Sequence, residues 1–213
     1  MTTQTLTGVT ISLEGVCQHD SCSDFAFPLY TQLRDGYERC SVLTVPISVN
    51  TWREEHRTAR KRADRATRLG YHFAEIRREE YDEHIYFINT SLDSRQGRPM
   101  SAGYMERQHF LPLPTYPCER HCIRTYGVIS ARGQLVAYLW LYRSGHMALV
   151  SQILGHGDHL QNDVMYLLFQ GVVESQSLNG GFFVYNLHSS GTDGLRYFKS
   201  KLGFDAMEVS WEL

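Results

Sequence analysis

The order of predicted secondary structure in the second half of the chain leaves few possible folds. Five segments rich in β-branched and aromatic residues predict strands, and two amphipathic segments predict helices. The strands are expected at 122–130, 134–143, 146–154, 181–187 and 204–213, and the helices at 162–178 and 194–202. A helix between two strands of one sheet requires a crossover connection, so part of the sheet must be parallel. The sequence therefore predicts an α/β fold with a mixed, partly parallel sheet flanked by helices.

The first 40 residues predict little regular structure. Residues 9–13 have the composition of a strand, and a loop rich in Cys, Ser and Asp follows them. Residues 41–49, SVLTVPISV, are rich in β-branched side chains and predict a second strand. Because Pro46 cannot donate a hydrogen bond to a neighbouring strand, it favours an edge position for this strand.

A helix over residues 51–69 is the clearest element of the first half. Thr51 and Glu54 have the spacing of a capping box, and Gly70 stands where the C-terminal cap of this helix belongs. The elements expected after it are a strand at 71–76 and a helix at 81–92.

A long irregular connection is expected between the two halves. Residues 94–122 contain four of the six prolines of the chain, and connections of this length are usually functional or mobile. We therefore divide the chain into an irregular N-terminal α/β region, residues 1–122, and a core, residues 123–213. A helix-strand-helix order permits the first region to be a degenerate copy of the second.

The composition is that of an ordinary globular chain. Its 213 residues are 42% hydrophobic and 21% charged, with a formal net charge of −2, which gives no global attraction to nucleic acid or to a membrane. No apolar run approaches the roughly 18 residues of a membrane span. The first ten residues also lack the basic start and apolar centre of a signal peptide. We expect a cytoplasmic protein with no membrane partner, and the composition leaves the oligomeric state open.

The segment QILGHG, residues 152–157, lies between the third strand of the core and its long helix. Small residues at such a place let backbone N–H groups approach an anion, and the helix dipole favours negative charge there. Its spacing and position resemble the Q/R-x-x-G-x-G/A pyrophosphate loop of the GNAT acyltransferase superfamily, whose core has the same order of elements. This resemblance implies acetyl-CoA as a cofactor, bound through Gln152, Gly155 and Gly157. The carboxylate of Asp158, next in sequence, would repel a pyrophosphate.

The segment LRYFKSKLGF, residues 195–204, resembles another branch of that superfamily, the Fem-type peptidyltransferases. In that branch a helix carries Phe-Lys and ends in a Gly four residues after the Lys, as Phe198, Lys199 and Gly203 do here. Acetyl-CoA-dependent members usually have a Tyr at the position of Lys199. Tyr197 cannot simply replace it, because residues two apart lie on different sides of a helix.

The Fem-type resemblance implies transfer of an aminoacyl group from aminoacyl-tRNA to an amine of a peptide or small molecule, with no bound cofactor. Since the donor is already an activated ester, the enzyme has to position the amine and stabilise an oxyanion. Lys199 is the candidate for that stabilisation, and Phe198 and Tyr197 are candidate substrate contacts. Transfer to an amine also requires a proton acceptor, for which Asp158 and His156 are candidates.

Two further pairs of residues are candidate substrate contacts. Asn186 and His188 end the strand before the last helix, and Asn186 could hydrogen-bond an amine or carbonyl of the acyl group. Arg95 and Arg98 flank Gln-Gly in a loop rich in Gly and Pro, where two guanidinium groups suit a carboxylate or a phosphate. The alternative is that these arginines only fasten the loop to the domain.

A local basic surface is also predicted. The helix at 51–70 has seven basic side chains against three acidic ones. The basic residues Arg53, Arg57, Arg60 and Lys61 recur at i, i+4, i+7 and i+8, so one helix face could follow the phosphates of tRNA. The alternative is an ordinary solvated helix face.

Two short segments combine Cys and His, CQHDSC at 17–22 and CERHC at 118–122. If they meet in the fold, their soft ligands could hold zinc. The cysteines concerned are Cys17, Cys22, Cys118 and Cys122. With five cysteines in all and no sign of export, reduced thiols are the alternative, and the sequence alone assigns no metal ligand.

Three functions therefore stay open. The first is an aminoacyltransferase that uses charged tRNA, and the second is an N-acetyltransferase that uses acetyl-CoA. The third is a non-catalytic binding module on the same fold, which would recognise its ligand through the loop of Arg95 and Arg98 and the arginine-rich helix.

Overall fold

A computed structural model describes residues 7–14, 21–45, 48–176, 181–188 and 191–213, with the backbone alone for Asn186. The strands are β1 (Thr7–Ser12), β2 (Arg39–Thr44), β3 (His72–Glu75), β4 (Ser94–Arg95), β5 (Arg98–Pro99), β6 (His121–Ile129), β7 (Leu135–Ser144), β8 (Met147–Gly155), β9 (Phe182–Leu187) and β10 (Asp205–Glu212). The helices are α1 (Ser21–Arg34), α2 (Val49–Glu55), α3 (Arg57–Arg68), α4 (Asp82–Thr90), α5 (Ala102–Met105), α6 (Val164–Gln176) and α7 (Asp193–Lys201). Short 3₁₀ helices occupy Arg78–Glu80 and Gly157–Asn162.

Eight strands form one sheet in the order β1-β10-β2-β9-β8-β7-β6-β3, and β4 and β5 form a separate hairpin. β1 pairs in parallel with β10, and β8 pairs in parallel with β9. The other neighbours in the sheet are antiparallel. The predicted mixed, partly parallel sheet is therefore confirmed. Strands from before and after residue 122 are neighbours in it, because β2 lies between β10 and β9.

Helices cover both faces of the sheet, as predicted. Side chains along β7 alternate between the faces, because successive residues of a strand point in opposite directions. Ala137, Leu139 and Leu141 join the core beneath α3 and α6, whereas Tyr138 and Trp140 pack with α4 on the other face. α1 packs on that second face nearer to β1 and β10.

α1 was not predicted, and it replaces part of the expected N-terminal loop. Its buried residues Cys22, Ala26, Leu29 and Leu33 recur at i, i+4, i+7 and i+11, so one side of the helix faces the sheet. Pro28 lies inside this helix. The proline and the polar residues at the start of the helix conceal its apolar periodicity.

The expected edge position of the strand at 41–49 is wrong. β2 lies between β10 and β9 in the interior of the sheet, with Cys40 and Val42 fully buried. The strand ends at Thr44, before Pro46, which is outside the described residues. The proline therefore imposes no edge position on the strand.

The single helix expected at 51–69 is in fact two helices. α2 ends and α3 begins at His56, whose backbone angles, φ −107° and ψ 50°, are not helical. Ser48 caps α2 in place of Thr51, since its hydroxyl accepts a hydrogen bond from the N–H of Asn50 over 3.2 Å.

The remaining elements lie within a few residues of their predicted positions. Gly70, with φ of +89°, follows the last turn of α3, as expected of a C-terminal glycine. Within the predicted irregular connection, Gln96 and Gly97 form the two-residue turn of the β4–β5 hairpin. Both have positive φ, as a type I′ turn requires. None of the described helices is both long enough and apolar enough to cross a membrane.

Candidate functional site

The sheet opens between β8 and β9. Their parallel pairing ends at Leu149 and Val184, although β8 continues to Gly155 and β9 to Leu187. Just after this point in β8, Ser151 is an extra residue that shifts the register of β8 against β7. A bulge bends the strand that carries it. The two strands therefore diverge and leave a cleft at this end of the sheet.

A cavity of about 400 Å³ occupies the cleft. Its walls come from the ends of β8 and β9, the start of α6, helix α7 and the β4–β5 hairpin. The lining residues are Arg62, Leu92, Ser94, Arg95, Gln96, Ile153, Leu154, Gly155, Leu160, Asp163, Met165, Tyr166, Tyr185, Leu195 and Phe198. An apolar lining with a few charged groups is typical of a small-molecule site. Of the predicted site residues, Arg95, Gly155 and Phe198 line this cavity.

Arg95 fastens the hairpin to the end of β8. One terminal nitrogen donates to the carbonyl oxygen of Gly155 over 2.9 Å. The other donates to the carbonyl oxygen of Ile88 over 2.8 Å and to the hydroxyl of Ser91 over 3.1 Å. Burial lowers the pKa of Arg95, and no carboxylate pairs with it in the part of the chain that the structure describes. Its buried Nε has no hydrogen-bond partner among the described residues.

Arg98 has a different environment from Arg95. The two residues pair across the hairpin, but Arg98 is exposed and does not line the cavity. The structure therefore does not assemble the two arginines into the expected clamp. Of the two hairpin arginines, only Arg95 lines the cavity, and a substrate contact by Arg98 stays a prediction.

The opposite wall carries an ion-pair cluster around Asp163. This carboxylate is 9% exposed and accepts hydrogen bonds from Arg62 over 3.3 Å and from Arg65 over 2.8 Å. The guanidinium of Arg62 also lies 5.0 Å from the centre of the Tyr166 ring. Asp163 has φ of +62°, a conformation that Asp adopts more readily than most residues, and it precedes the first turn of α6. The start of α6 adds the positive end of a helix dipole to this wall.

Lys199 is buried beside the cavity. It is 1% exposed, and its ammonium group donates to the carbonyl oxygen of Leu187 over 3.2 Å. The same group lies 4.7 Å from the centre of the Tyr185 ring, which lines the cavity. Burial lowers the pKa of Lys199 to about 8, and the nearby Cys40 opposes this shift. Lys199 is therefore not a solvated lysine on the surface of α7.

The two residues before Lys199 lie on different sides of α7. Phe198 lines the cavity and packs edge-on against Tyr166, with 4.9 Å between ring centres. Tyr197 is 54% exposed, and the ammonium of Lys201 lies over its ring. Phe198 is thus placed to touch a ligand, whereas the predicted contact by Tyr197 would have to form outside the cavity.

His188 lies next to Lys199 at the end of β9. Burial lowers the pKa of His188, and the charges of Lys199 and Arg196 lower it further. Its Nδ1 lies 3.3 Å from the hydroxyl of Ser41. The side chain of Asn186, predicted to contact the acyl group, is outside the described residues.

The backbone N–H groups of His156 and Gly157, which end the predicted pyrophosphate loop, and of the two residues after them already have acceptors. That of His156 donates to a carbonyl of β7 over 2.8 Å, and that of Gly157 donates to the hydroxyl of Ser91 over 2.9 Å. Those of Asp158 and His159 both donate to His156, to its Nδ1 over 3.3 Å and to its carbonyl over 3.0 Å. Among these four described residues, no N–H group is left for an anion.

The other two residues of the predicted cofactor loop differ in position. The side-chain amide of Gln152 donates to the hydroxyl of Tyr138 over 2.6 Å, and that hydroxyl donates to Asn89 over 2.8 Å. Gln152 therefore belongs to a buried hydrogen-bond chain and does not line the cavity. Gly155 does line it, and a Cβ there would lie 2.6 Å from the sulfur of Met165.

The candidate proton acceptors lie outside the cavity. His156 lines a smaller depression of about 240 Å³, together with His84 and His159. Asp158 is exposed on the 3₁₀ helix that follows β8. The structure does not bring either residue to the cavity wall with Lys199, and their roles stay predictions.

A row of basic residues on α3 faces solvent. Its members, Arg57, Lys61, Arg65 and Arg68, are exposed and recur at i, i+4, i+8 and i+11; we call this row the basic stripe. Ala59, Ala63 and Ala66 bury the opposite side of the helix. Because Arg65 binds Asp163 in the cavity wall, the basic stripe reaches the edge of the cavity.

The basic stripe differs from the row predicted from the sequence. The break at His56 places Arg53 in α2, where it forms an ion pair with Glu174 over 2.8 Å. Arg60 is only partly exposed. The predicted row of four therefore does not exist as one continuous face, although the same helix still presents positive charge.

The two segments rich in Cys and His meet in the structure. The ligand atoms of Cys22, Cys118 and His121 all lie within 4.8 Å of one another. Cys122 is not part of this group, because its thiol donates to the carbonyl oxygen of Glu119 over 3.2 Å. Cys17 is outside the described residues.

Asp163 and Tyr185 are among the residues of the cavity wall that sequence reasoning missed. Tyr185 lies in an apolar strand and could not be distinguished there from a core residue. Asp163 was placed inside a predicted helix. A carboxylate at the start of a helix, in a chain with an arginine-rich helix, was the available signal for an ion pair.

No protein-family model matches the sequence, and no curated protein is significantly similar to it. Solved structures do match its fold. FemX shares 9% identity with a TM-score of 0.61, over 80% of this chain and 60% of its own. The C-terminal domain of a putative lysylphosphatidylglycerol synthetase from Agrobacterium fabrum shares 12% identity with a TM-score of 0.53, over 79% of this chain and 57% of its own. L-PGS from Bacillus licheniformis shares 15% identity with a TM-score of 0.51, over 84% of this chain and 62% of its own.

These structural matches establish a shared fold. The chain spans about three-fifths of the length of each of the three neighbours. FemX bears the name of the branch that residues 195–204 resemble. The chain therefore shares its fold with these three proteins, and the predicted α/β class with a mixed sheet is confirmed.

Proposed function

We propose that the chain is an acyltransferase that moves an aminoacyl group from aminoacyl-tRNA to an amine of a peptide or small molecule. The observation that carries this proposal is the burial of Lys199 against Tyr185, where β8 and β9 diverge. A lysine is rarely buried without a carboxylate partner, because the loss of its hydration is costly. Groups with such perturbed pKa values concentrate at functional sites.

The fold neighbours agree with this type of chemistry. FemX bears the name of the branch whose motif contains Phe198 and Lys199 in this chain. The name of the Agrobacterium neighbour describes the attachment of a lysyl group to an acceptor. Both support an aminoacyl group as the unit that is transferred.

The charges around the cavity suit a donor that carries phosphates. Arg95 and Arg62 line the cavity, and the basic stripe begins at its edge. If the acceptor end of the tRNA enters the cavity, the neighbouring phosphates of the tRNA lie along α3, where the basic stripe attracts them. The loop that contains Gly155 and Gly157 gives acetyl-CoA less support, because the N–H groups of His156 and Gly157 already have acceptors.

In the proposed reaction, the amine nitrogen attacks the carbonyl carbon of the aminoacyl ester, and the carbonyl oxygen becomes an oxyanion. The bond to the ribose oxygen then breaks, the amine loses a proton, and the ribose oxygen gains one. The charge of Lys199, next to Tyr185, stabilises the oxyanion. With a pKa of about 8, Lys199 also donates a proton to the leaving oxygen more readily than an ordinary lysine does.

Direct assay of the donor tests the proposal. Purified protein is given total tRNA charged with labelled amino acids and a panel of amines, with labelled acetyl-CoA tested in parallel. We expect labelled product from aminoacyl-tRNA and none from acetyl-CoA. Product from acetyl-CoA alone would replace the proposal with an N-acetyltransferase. Binding of tRNA without product from either donor would favour a non-catalytic binding module.

Lys199→Met tests the lysine, and Lys201→Met on the same helix is the matched control. Loss of one electrostatic contact to an oxyanion typically lowers the rate by about a hundredfold or more. We expect a fall of that order for Lys199→Met with tRNA binding retained, and little change for Lys201→Met. Equal rates for the two variants would contradict the role of Lys199.

The basic stripe is tested through the salt dependence of tRNA binding. Replacing Arg57, Lys61 and Arg68 by Gln leaves the ion pair of Arg65 intact. Each lost phosphate contact should lower the slope of log affinity against log salt by roughly one. Arg132→Gln, an exposed residue in the turn between β6 and β7, is the control. An unchanged slope in the triple variant would remove α3 from the proposed tRNA surface.

A further inference from the structure

We propose that Cys22, Cys118 and His121 form a zinc-binding site, separate from the acyltransferase cavity. The three residues come from distant parts of the fold. Cys22 lies in the first turn of α1, Cys118 precedes β6, and His121 is the first residue of β6. Their two sulfurs and a ring nitrogen lie within 4.8 Å of one another. Two thiolates and an imidazole are a ligand set that zinc prefers.

The spacing of two of these atoms fits a tetrahedral ion. The sulfur of Cys118 lies 3.6 Å from Nδ1 of His121. Zinc bonds of about 2.3 Å to sulfur and about 2.0 Å to nitrogen, at a tetrahedral angle, place such atoms roughly 3.5 Å apart. The turn that brings them together is closed by a backbone hydrogen bond of 3.1 Å from the N–H of His121 to the carbonyl of Cys118.

The ring of His121 is held in the orientation that a metal ligand needs. Its Nε2 lies 2.8 Å from the carbonyl oxygen of Leu13. A carbonyl oxygen only accepts hydrogen bonds, so Nε2 carries the proton and Nδ1 keeps its lone pair toward the sulfur of Cys118. A backbone carbonyl that fixes the second nitrogen is the usual support of a zinc-bound histidine.

The surroundings favour a buried, neutral metal centre. Cys22 is 3% exposed and His121 is 2% exposed. Two thiolates balance the charge of Zn²⁺, and the two thiol protons leave when the ion binds. The ring of Phe25 packs edge-on against that of His121, with 6.1 Å between centres, and limits access of water.

Cys122 provides a contrast next to the proposed ligands. Its thiol donates to the carbonyl oxygen of Glu119 over 3.2 Å, and its sulfur is not among the three ligand atoms that lie within 4.8 Å of one another. The structure therefore assigns His121, and not Cys122, as the third ligand. A water molecule or a further side chain completes the tetrahedral shell.

The position of the site indicates a structural role for the metal. His121 pairs with Ser144, and Ser144 pairs with Met147, the first residue of β8. The cavity lies at the other end of β8, whose nine residues span roughly 26 Å at about 3.3 Å per residue. The zinc would fasten α1 to the start of β6 and would not touch the substrate.

Metal analysis of the purified protein tests the proposal. Protein is prepared without chelator and without a histidine tag, and its metal content is measured by inductively coupled plasma mass spectrometry. We expect about one zinc ion per chain. Cys118→Ser and His121→Ala should lower this content at least about tenfold, and Cys122→Ser should leave it unchanged. Zinc retained by the first two variants and lost by Cys122→Ser would overturn the ligand assignment.

Cobalt titration keeps the test valid if the ligand variants fail to fold. Wild-type protein depleted of metal is titrated with Co²⁺, which gives a sulfur-to-cobalt charge-transfer band only when thiolates bind it. We expect this band in the wild type and in Cys122→Ser. The melting temperature should fall on depletion and recover with zinc. Absence of both the band and the recovery, or an intact mass that shows a disulfide between Cys22 and Cys118, would overturn the site.

Discussion

The ammonium group of Lys199 and the ring of Tyr185 form a cation–π pair with 4.7 Å between them, beside the cavity that Tyr185 lines. No carboxylate shares this charge in the described part of the chain, so loss of hydration dominates and the pKa of Lys199 falls to about 8. A desolvated cation–π contact contributes about 2 kcal/mol, which offsets only part of that cost. Burial of the Lys199 charge therefore lowers the stability of the fold.

Removal of this charge should stabilise the protein. At neutral pH, we expect Lys199→Met to raise the free energy of unfolding by up to about 3 kcal/mol, because one pKa unit corresponds to about 1.4 kcal/mol. The lost hydrogen bond to Leu187 and the lost cation–π contact with Tyr185 reduce this gain. Urea unfolding of the wild type, Lys199→Met and Lys201→Met measures it. A Lys199→Met protein less stable than the control variant would show that the buried charge is not costly.

The same charge predicts how stability depends on pH. The pKa of Lys199 is about 8 in the folded state and 10.5 for an ordinary lysine. Folding therefore releases a proton within this window, and the unfolded state binds more protons than the native state. The stability of the wild type relative to Lys199→Met should be lowest below pH 8 and rise toward pH 10.5. Unfolding measured for both proteins at several pH values across the window tests this, and a constant difference would refute it.

His188 should report the charge of Lys199 directly. Burial lowers the pKa of His188, and the nearby cations Lys199 and Arg196 lower it further, because they disfavour a second positive charge. In Lys199→Met, we expect the pKa of His188 to rise toward its ordinary value. Titration of the imidazole resonances by NMR measures the change.

The two hairpin arginines should differ in their effect on activity. Arg95→Met removes a charge from the cavity wall and leaves the carbonyls of Gly155 and Ile88 without their donor, so we expect kcat/KM to fall by about tenfold or more. Arg98→Met changes an exposed residue and should have little effect. Equal losses in kcat/KM would favour the clamp predicted from the sequence over the arrangement in the structure.

Gly171 in α6 should not tolerate a side chain. A Cβ there would overlap the ring of Phe73, which stacks on Tyr126 across the core. Alanine normally stabilises a helix relative to glycine, yet we expect Gly171→Ala to cost about 1–3 kcal/mol through overpacking. Gly103→Ala, at a helical glycine with nothing within 4 Å of a Cβ, is the control and should be neutral or stabilising. Thermal unfolding of both variants shows whether each substitution stabilises or destabilises the protein.

The sequence predicted the core elements well because their patterns are local. Strands β6, β7 and β8 are continuous apolar segments bounded by turns, and α6 has a clear apolar face. The interior position of β2 depends instead on which distant strands it meets, and no local pattern encodes that. α1 does show helical spacing at Cys22, Ala26, Leu29 and Leu33, but Pro28 and the polar residues around it concealed the signal.

The candidate site could be predicted only in part. The motif around Lys199 identified the lysine, but its burial depends on the carbonyl of Leu187 and the ring of Tyr185, which only the folded sheet brings near it. The glycine loop matched a pyrophosphate pattern, yet the N–H group of Gly157 already donates to the hydroxyl of Ser91. Hydrogen-bond partners distant in sequence determined both outcomes.

The pairing of β1 with β10 has a consequence for how the protein is made. Thr7 pairs with Met207, and roughly two hundred residues separate these partners, so the contact forms late and slowly. The pairing of β2 is also delayed, because both of its neighbours, β9 and β10, are synthesised after it. Until then both N-terminal strands have unpaired edges, which favour aggregation. Emergence of β10 from the ribosome therefore determines when the nascent chain can close its sheet, and slow translation before that point would lower the soluble yield.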